Sequence, residues 1–168
     1  MTAPHQVGYH DVLRVWREAD AIPEIEHAWL FDHLMPIAGD LDGPAYEGWT
    51  LLAALAAQTR RLRLGVLVTS NRFRPPAMLA KIAVTVDDIS GGRLDFGIGA
   101  GSRPGHPLAR REYDAHGLPF HDAAHATRDA IAEAIGAGFR HIVLGLPSPY
   151  PDGVARWVTD ELITSRNN

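Results

Sequence analysis

The sequence predicts an α/β fold built on a parallel sheet with four main strands, and three observations carry that expectation. Stretches of helical periodicity alternate with short apolar runs along the chain. Those runs lack polar alternation, the pattern of strands covered on both faces by crossover helices. Turns rich in glycine and proline separate successive units. The tally is four strand-then-helix units after an opening helix, which calls for parallel pairing with right-handed crossovers.

The elements follow in order. From Asp11, the residues Val12, Val15, Trp16, Ala19 and Ile22 recur at three- and four-residue intervals, a helical stripe that Pro23 closes. His27-Ala28-Trp29-Leu30-Phe31 reads as the first strand, with Asp32-His33 directly after it. Residues 36–48 hold three glycines and two prolines and form a loop. Residues 47–58 are rich in alanine and leucine, with Trp49, Leu52, Leu55 and Ala56 on one face of a second helix. Arg60 and Arg61 fall at its C-terminal end, where cations suit the helix dipole. Residues 62–68 form the second strand, interrupted by Gly65, and lead into Thr69-Ser70-Asn71.

Pro75-Pro76 open a third helix, residues 77–88, that turns Leu79, Ile82, Ala83 and Val86 inward. Gly91-Gly92 then turn the chain into a third strand, residues 93–98. Residues 103–120 contain three prolines and no sustained period, and read as a long functional loop. A helix over 123–137 ends at Gly136 and Gly138, residues 141–144 give the fourth strand, and residues 154–163 give a last helix.

One domain, residues 1–168, accounts for this length, with no linker. A hydrophobic content of 46% with 21% charged residues is globular, and a net charge of -4 gives no electrostatic case for nucleic acid. Without cysteine there are no disulfides or thiolate metal sites. The opening residues lack the basic end and apolar run of a signal peptide, and the longest apolar run, 51–57, is too short to span a bilayer. The expectation is a soluble, cytoplasmic protein with no membrane partner.

Parallel strands would bring four groups to one edge of the sheet: Asp32-His33, Thr69-Ser70-Asn71, residues 99–103 and residues 145–150. His33 beside Asp32 is the candidate for proton transfer, because imidazole titrates near neutrality; a simple strand-end cap is the alternative. Gly99-Ala100-Gly101-Ser102 lets backbone approach a flat or anionic ligand, or makes only a tight turn. It lacks the spacing of a dinucleotide fingerprint. The nine histidines offer no convincing ligand set, so no metal is expected. Arg110-Arg111 read as a solvated pair, and Trp29 and Trp49 as core.

Several segments together resemble the bacterial luciferase-like family, in consecutive order over about residues 11–120. They are Ala28-Trp29-Leu30-Phe31-Asp32-His33-Leu34, then Trp49-Thr50-Leu51-Leu52-Ala53-Ala54-Leu55-Ala56, then Arg61-Leu62-Arg63-Leu64-Gly65 and Pro76-Ala77-Met78-Leu79-Ala80-Lys81. Ser90-Gly91-Gly92-Arg93 and Gly97-Ile98-Gly99-Ala100-Gly101 complete the set. The resemblance implies βα units of TIM-barrel type and a flavin- or deazaflavin-dependent oxidoreductase or monooxygenase. FMN or the deazaflavin coenzyme F-420 would be the cofactor, and a small organic molecule the substrate.

The resemblance also assigns residues. Asp32 and His33 match the strand-end acid and histidine beside the cofactor ring, with the histidine as acid/base. Val66 and Leu67 fall where many members place a non-proline cis peptide behind the ring, with Thr69 just beyond. Gly99, Gly101 and Ser102 match the loop along the cofactor, although some deazaflavin enzymes carry a carboxylic acid where Ser102 stands. Residues 139–164 resemble the family's last strand and helix, so the middle of the barrel is absent. Four strands make about half a barrel and cannot close it. The open sheet edges call for self-association, as a homodimer of two half-barrels. The competing expectation is an inactive shortened relative that binds cofactor or a subunit.

Overall fold

A computed structural model describes residues 4–99, 107–117, 123–139, 142–145 and 156. The elements run α1 Tyr9–Asp20, β1 His27–Leu30, α2 Gly48–Gln58, β2 Arg63–Val66, β3 Thr69–Ser70, α3 Pro76–Ser90, β4 Leu94–Gly99, α4 Pro107–Ala115, α5 Ala123–Gly136 and β5 Ile142–Gly145. All strand pairings are parallel: β1 with β2, β2 and β3 with β4, and β4 with β5. Among the described strands the sheet does not close on itself, as expected for a partial barrel.

The second expected strand is divided into β2 and β3, which pair with successive parts of β4. Gly65 pairs with Asp95, an offset of 30 residues, whereas Thr69 pairs with Ile98, an offset of 29. The strand therefore carries one residue more than its neighbour, as in a β-bulge. A non-proline cis peptide joins Leu67 to Val68 inside this break, one bond beyond the Val66-Leu67 position implied by the resemblance.

Alternation along the strands sorts the two faces of the sheet. Leu30, Leu64, Val66, Leu94, Phe96 and Ile98 are buried and join Trp16, Trp49, Leu52, Leu55, Leu79 and Val86 in one core. The opposite face carries His27, Trp29, Arg63, Gly65, Asp95 and Gly97. His27 is exposed and Trp29 only half-buried, so β1 is not covered on both faces as its apolar run suggests.

Other expectations need correction. In α1 the buried residues are Val12, Leu13 and Trp16, while Val15 and Ile22 are exposed. Ile22 follows the end of the helix at Asp20, which breaks the stripe. Arg61 does not serve the end of α2. Its guanidinium donates to the carbonyls of Ala19, Asp20, Ile22 and Ile25 at the end of α1, while Asp20 accepts the N–H groups of Arg60, Arg61 and Leu62. Arg93 takes the α2 end instead, donating to Ala56 O at 2.8 Å and Thr59 O at 3.0 Å.

The largest departure is α4, a helix inside the stretch expected to be a loop. Leu-Ala-Arg-Arg-Glu after Pro107 are good helix formers behind a proline suited to the first turn. The expected last helix, residues 154–163, lies outside the described residues apart from the helical Arg156. Among the described residues, no helix is long and apolar enough to cross a membrane.

Candidate functional site

Because every pairing is parallel, the C-terminal ends of β1, β3, β4 and β5 share one edge of the sheet. Asp32-His33, Ser70-Asn71 and Gly99 meet there. Gly101 and Ser102 lie outside the described residues.

Asp32 and His33 are neighbours in sequence but serve different networks, since successive residues of extended chain point to opposite sides. Asp32 is buried and accepts four hydrogen bonds. Thr69 Oγ1 donates at 2.8 Å, the Ser70 N–H at 2.9 Å, and Arg74 through Nη1 at 2.7 Å and Nη2 at 2.9 Å. Thr69 Oγ1 in turn accepts from Trp49 Nε1 at 2.8 Å, so Trp49 is core with its one polar atom satisfied. Arg74 also donates to Glu47, whose carboxylate caps α2 by accepting the N–H groups of Trp49 and Thr50. Burial alone would raise the Glu47 carboxyl. The hydrogen bonds from Thr50 and the Arg74 guanidinium outweigh it and hold the group below the usual carboxylate range.

His33 turns the other way. Its Nδ1 lies 3.1 Å from Glu112 Oε2, and Glu112 Oε1 accepts the Leu34 N–H. Glu112 stands on α4 with its side chain 5% exposed, against 32% for His33. The edge of the Phe31 ring meets the imidazole, with centroids 5.5 Å apart, and His5 packs edge-on against Phe31 at 5.1 Å. Burial and the nearby His33 lower the His5 imidazole. Tyr113, next on α4, is buried against Phe73, with Arg72 over its ring at 5.7 Å. Burial pushes the Tyr113 phenol up.

Among the remaining expected residues, Val66 and Thr69 are fully buried, whereas Leu67 is 37% exposed despite its apolar side chain. Gly99 is buried where a Cβ would come 2.7 Å from Val68 Cγ2, so its smallness serves the approach of β4 to the divided strand. Of the expected residues that are described, Asp32, Val66, Thr69 and Gly99 are therefore buried, and His33 and Leu67 are the ones that reach solvent. Sequence reasoning missed Glu112, Tyr113, Arg74 and Glu47. The helix formers after Pro107 were the one local signal for the first two, and an acidic residue just ahead of α2 the one for Glu47; Arg74 had none, because its partners are 27 and 42 residues away. Among the described residues no three His, Asp or Glu side chains group as metal ligands.

Comparison with known proteins points to one family and one fold. Residues 2–135 match the family model of luciferase-like monooxygenases. The chain is 33% identical over 105 residues to 4-hydroxyprotoasukamycin monooxygenase of Streptomyces nodosus subsp. asukaensis, covering 60% of this chain and 27% of that one. The coenzyme F-420 dependent tetrahydromethanopterin reductase of Methanopyrus kandleri superposes with TM-score 0.53 at 26% identity, covering 71% of this chain and 29% of the reductase. The FMN complex of the oxygenating constituent of 3,6-diketocamphane monooxygenase from Pseudomonas putida shares the fold, with TM-score 0.58 at 21% identity over 74% of this chain and 32% of that one. The chain spans about a third or less of the length of each of these three.

Proposed function

The chain belongs to the luciferase-like monooxygenase family, and on that premise we propose that it is an oxidoreductase that works with FMN or coenzyme F-420 on a small organic substrate. The observation that carries this reading is His33, braced by a buried carboxylate and one-third exposed at the parallel strand ends. The residues present fit a flat apolar ring. Leu67 offers an exposed apolar surface beside a rigid shelf, and burying it under a ligand would be favourable. His33 and Leu67 would face the ring, and Val66, Thr69, Asp32 and Gly99 would support it.

A bound flavin or deazaflavin supplies the centre that accepts or donates hydride. The chain's own residues orient the substrate, exclude water and handle the proton. His33 is the group for that proton, since its ring is accessible and imidazole changes charge near neutral pH. Asp32 is not, because its oxygens already hold four donors and its place is structural.

Titrating the purified protein with FMN and with coenzyme F-420, followed by visible absorbance and fluorescence, tests the reading. Binding of one of them, with turnover lost in His33→Gln, is the expected result. Binding of neither overturns it. A second reading, a cofactor-binding or subunit-interaction protein without turnover, draws on the short span relative to the family: binding without reduction of the ring by a hydride donor would favour it.

Among the described strands, β1 pairs only with β2 and β5 only with β4. Their outer edges are unpaired among the described residues, and pairing or covering them in a homodimer would extend the sheet. Solution mass at micromolar concentration is expected to show the dimer; a monomer would overturn it.

A further inference from the structure

We propose that Glu112 is the positioning residue for His33, fixing the imidazole tautomer so that Nε2 is the atom that exchanges the proton. The role in turnover rests on the oxidoreductase reading; the tautomer does not. Glu112 comes from α4, 79 residues beyond His33, and its carboxylate is buried. A buried carboxylate needs donors on its oxygens, and here one oxygen takes the Leu34 N–H and the other faces His33 Nδ1 at 3.1 Å. With Glu112 ionised, both of its oxygens only accept hydrogen bonds, and Nδ1 then carries the hydrogen. The neutral ring then leaves Nε2 bare.

Orientation follows from the same contacts. The main-chain bond to Leu34 ties Glu112 to the residue next to His33, so carboxylate and imidazole move together. Phe31 closes one side of the ring. When Nε2 takes a proton from a substrate hydroxyl, the ring becomes imidazolium while the Nδ1 hydrogen stays against Glu112; releasing the Nε2 proton restores the starting state. A carboxylate behind a histidine performs this duty in hydrolytic triads, by holding the tautomer rather than by taking the proton.

Glu112→Gln gives a sharp test because glutamine has one accepting oxygen and one donating NH2. The Leu34 N–H claims the oxygen, since facing it with the NH2 would set donor against donor. The NH2 then faces His33 Nδ1, which must accept, and the ring hydrogen moves to Nε2. The helix contact survives, but the imidazole is inverted.

The measurement is the imidazole 15N spectrum of the full chain at a pH above the ordinary imidazole range, with the His33 signals assigned by their loss in His33→Gln. The wild type is expected to carry hydrogen on Nδ1 and the Glu112→Gln variant on Nε2. Turnover of the cofactor-loaded variant should fall about 10²–10⁴-fold, the usual worth of a positioned acid or base. A wild-type ring protonated at Nε2 overturns the proposal even if the variant does not fold. So does a variant that keeps hydrogen on Nδ1. Failure of both cofactors to bind would overturn the oxidoreductase reading while leaving the tautomer result standing.

Discussion

Arg74 grips both carboxylate oxygens of Asp32, Nη1 standing 2.7 Å from Oδ2 and Nη2 2.9 Å from Oδ1. The Arg74 side chain is 10% exposed and that of Asp32 fully buried, so the pair is desolvated and depends on its geometry. Removing the guanidinium would leave a buried charge without its principal partner. Arg74→Ala is expected to cost about 3–5 kcal/mol of stability in denaturant unfolding. Arg74→Lys should recover only part of this, because an ammonium cannot span both oxygens and Glu47 at once. Full stability in Arg74→Ala would show that the pair is dispensable.

Acid should loosen the same corner through Glu47. Its carboxyl is held below the usual range in the folded chain by Thr50 and Arg74 against the opposing effect of burial. A depressed folded value means the contribution is fully present above the unfolded value, about 4.3, and is lost as pH falls through the folded one. Asp20 behaves with the same sign, since the N–H groups of Leu62, Arg60 and Arg61 outweigh its burial. Thermal melts of wild type and Glu47→Gln between neutral pH and about pH 3 are the check. The variant's stability should depend less steeply on pH at the acid end; parallel curves would remove Glu47 from the account.

Two buried glycines on the face of the sheet opposite the core set how closely its strands approach. A Cβ on Gly65 would overlap the Asp95 carbonyl and lie 2.6 Å from Trp29, and one on Gly97 would overlap the Val66 carbonyl. Backbone of a paired strand cannot yield as a flexible side chain can. Gly97→Ala is expected to cost about 3 kcal/mol or more, the upper range for overpacking. Gly91→Ala meets no neighbour and only the strain of φ 72 at the end of α3, so about 1–2 kcal/mol is expected. Equal melting temperatures in the two variants would refute the distinction.

How much of this could be read in the sequence depended on the range of the interaction. The strands were legible because His27–Leu30, Leu94–Gly99 and their neighbours are compact apolar runs between turns. The packing face of α2 was legible because Trp49, Leu52, Leu55 and Ala56 repeat with the helix. The α4 helix was not, since it buries Glu112 and Tyr113 rather than an apolar stripe, and periodicity weighs apolar residues. Adjacency grouped Asp32 and His33 as one candidate pair. The true partners lie 42 residues from Asp32 and 79 from His33, and only the packed fold brings them together.

Leu67 separates a ligand surface from a piece of core. It is 37% exposed between the fully buried Val66 and Thr69, so truncating it should cost folding only part of what a core leucine would. A ring seated on it would cover that side chain, and losing the contact should cost about 1–2 kcal/mol of binding, roughly tenfold in Kd. Leu67→Ala is therefore expected to lose about 1 kcal/mol of stability while binding FMN or coenzyme F-420 about ten times more weakly. Val66→Ala, by contrast, removes buried methyl groups and should lose stability first. If Leu67→Ala binds the cofactor as tightly as wild type, the ring does not rest on this shelf.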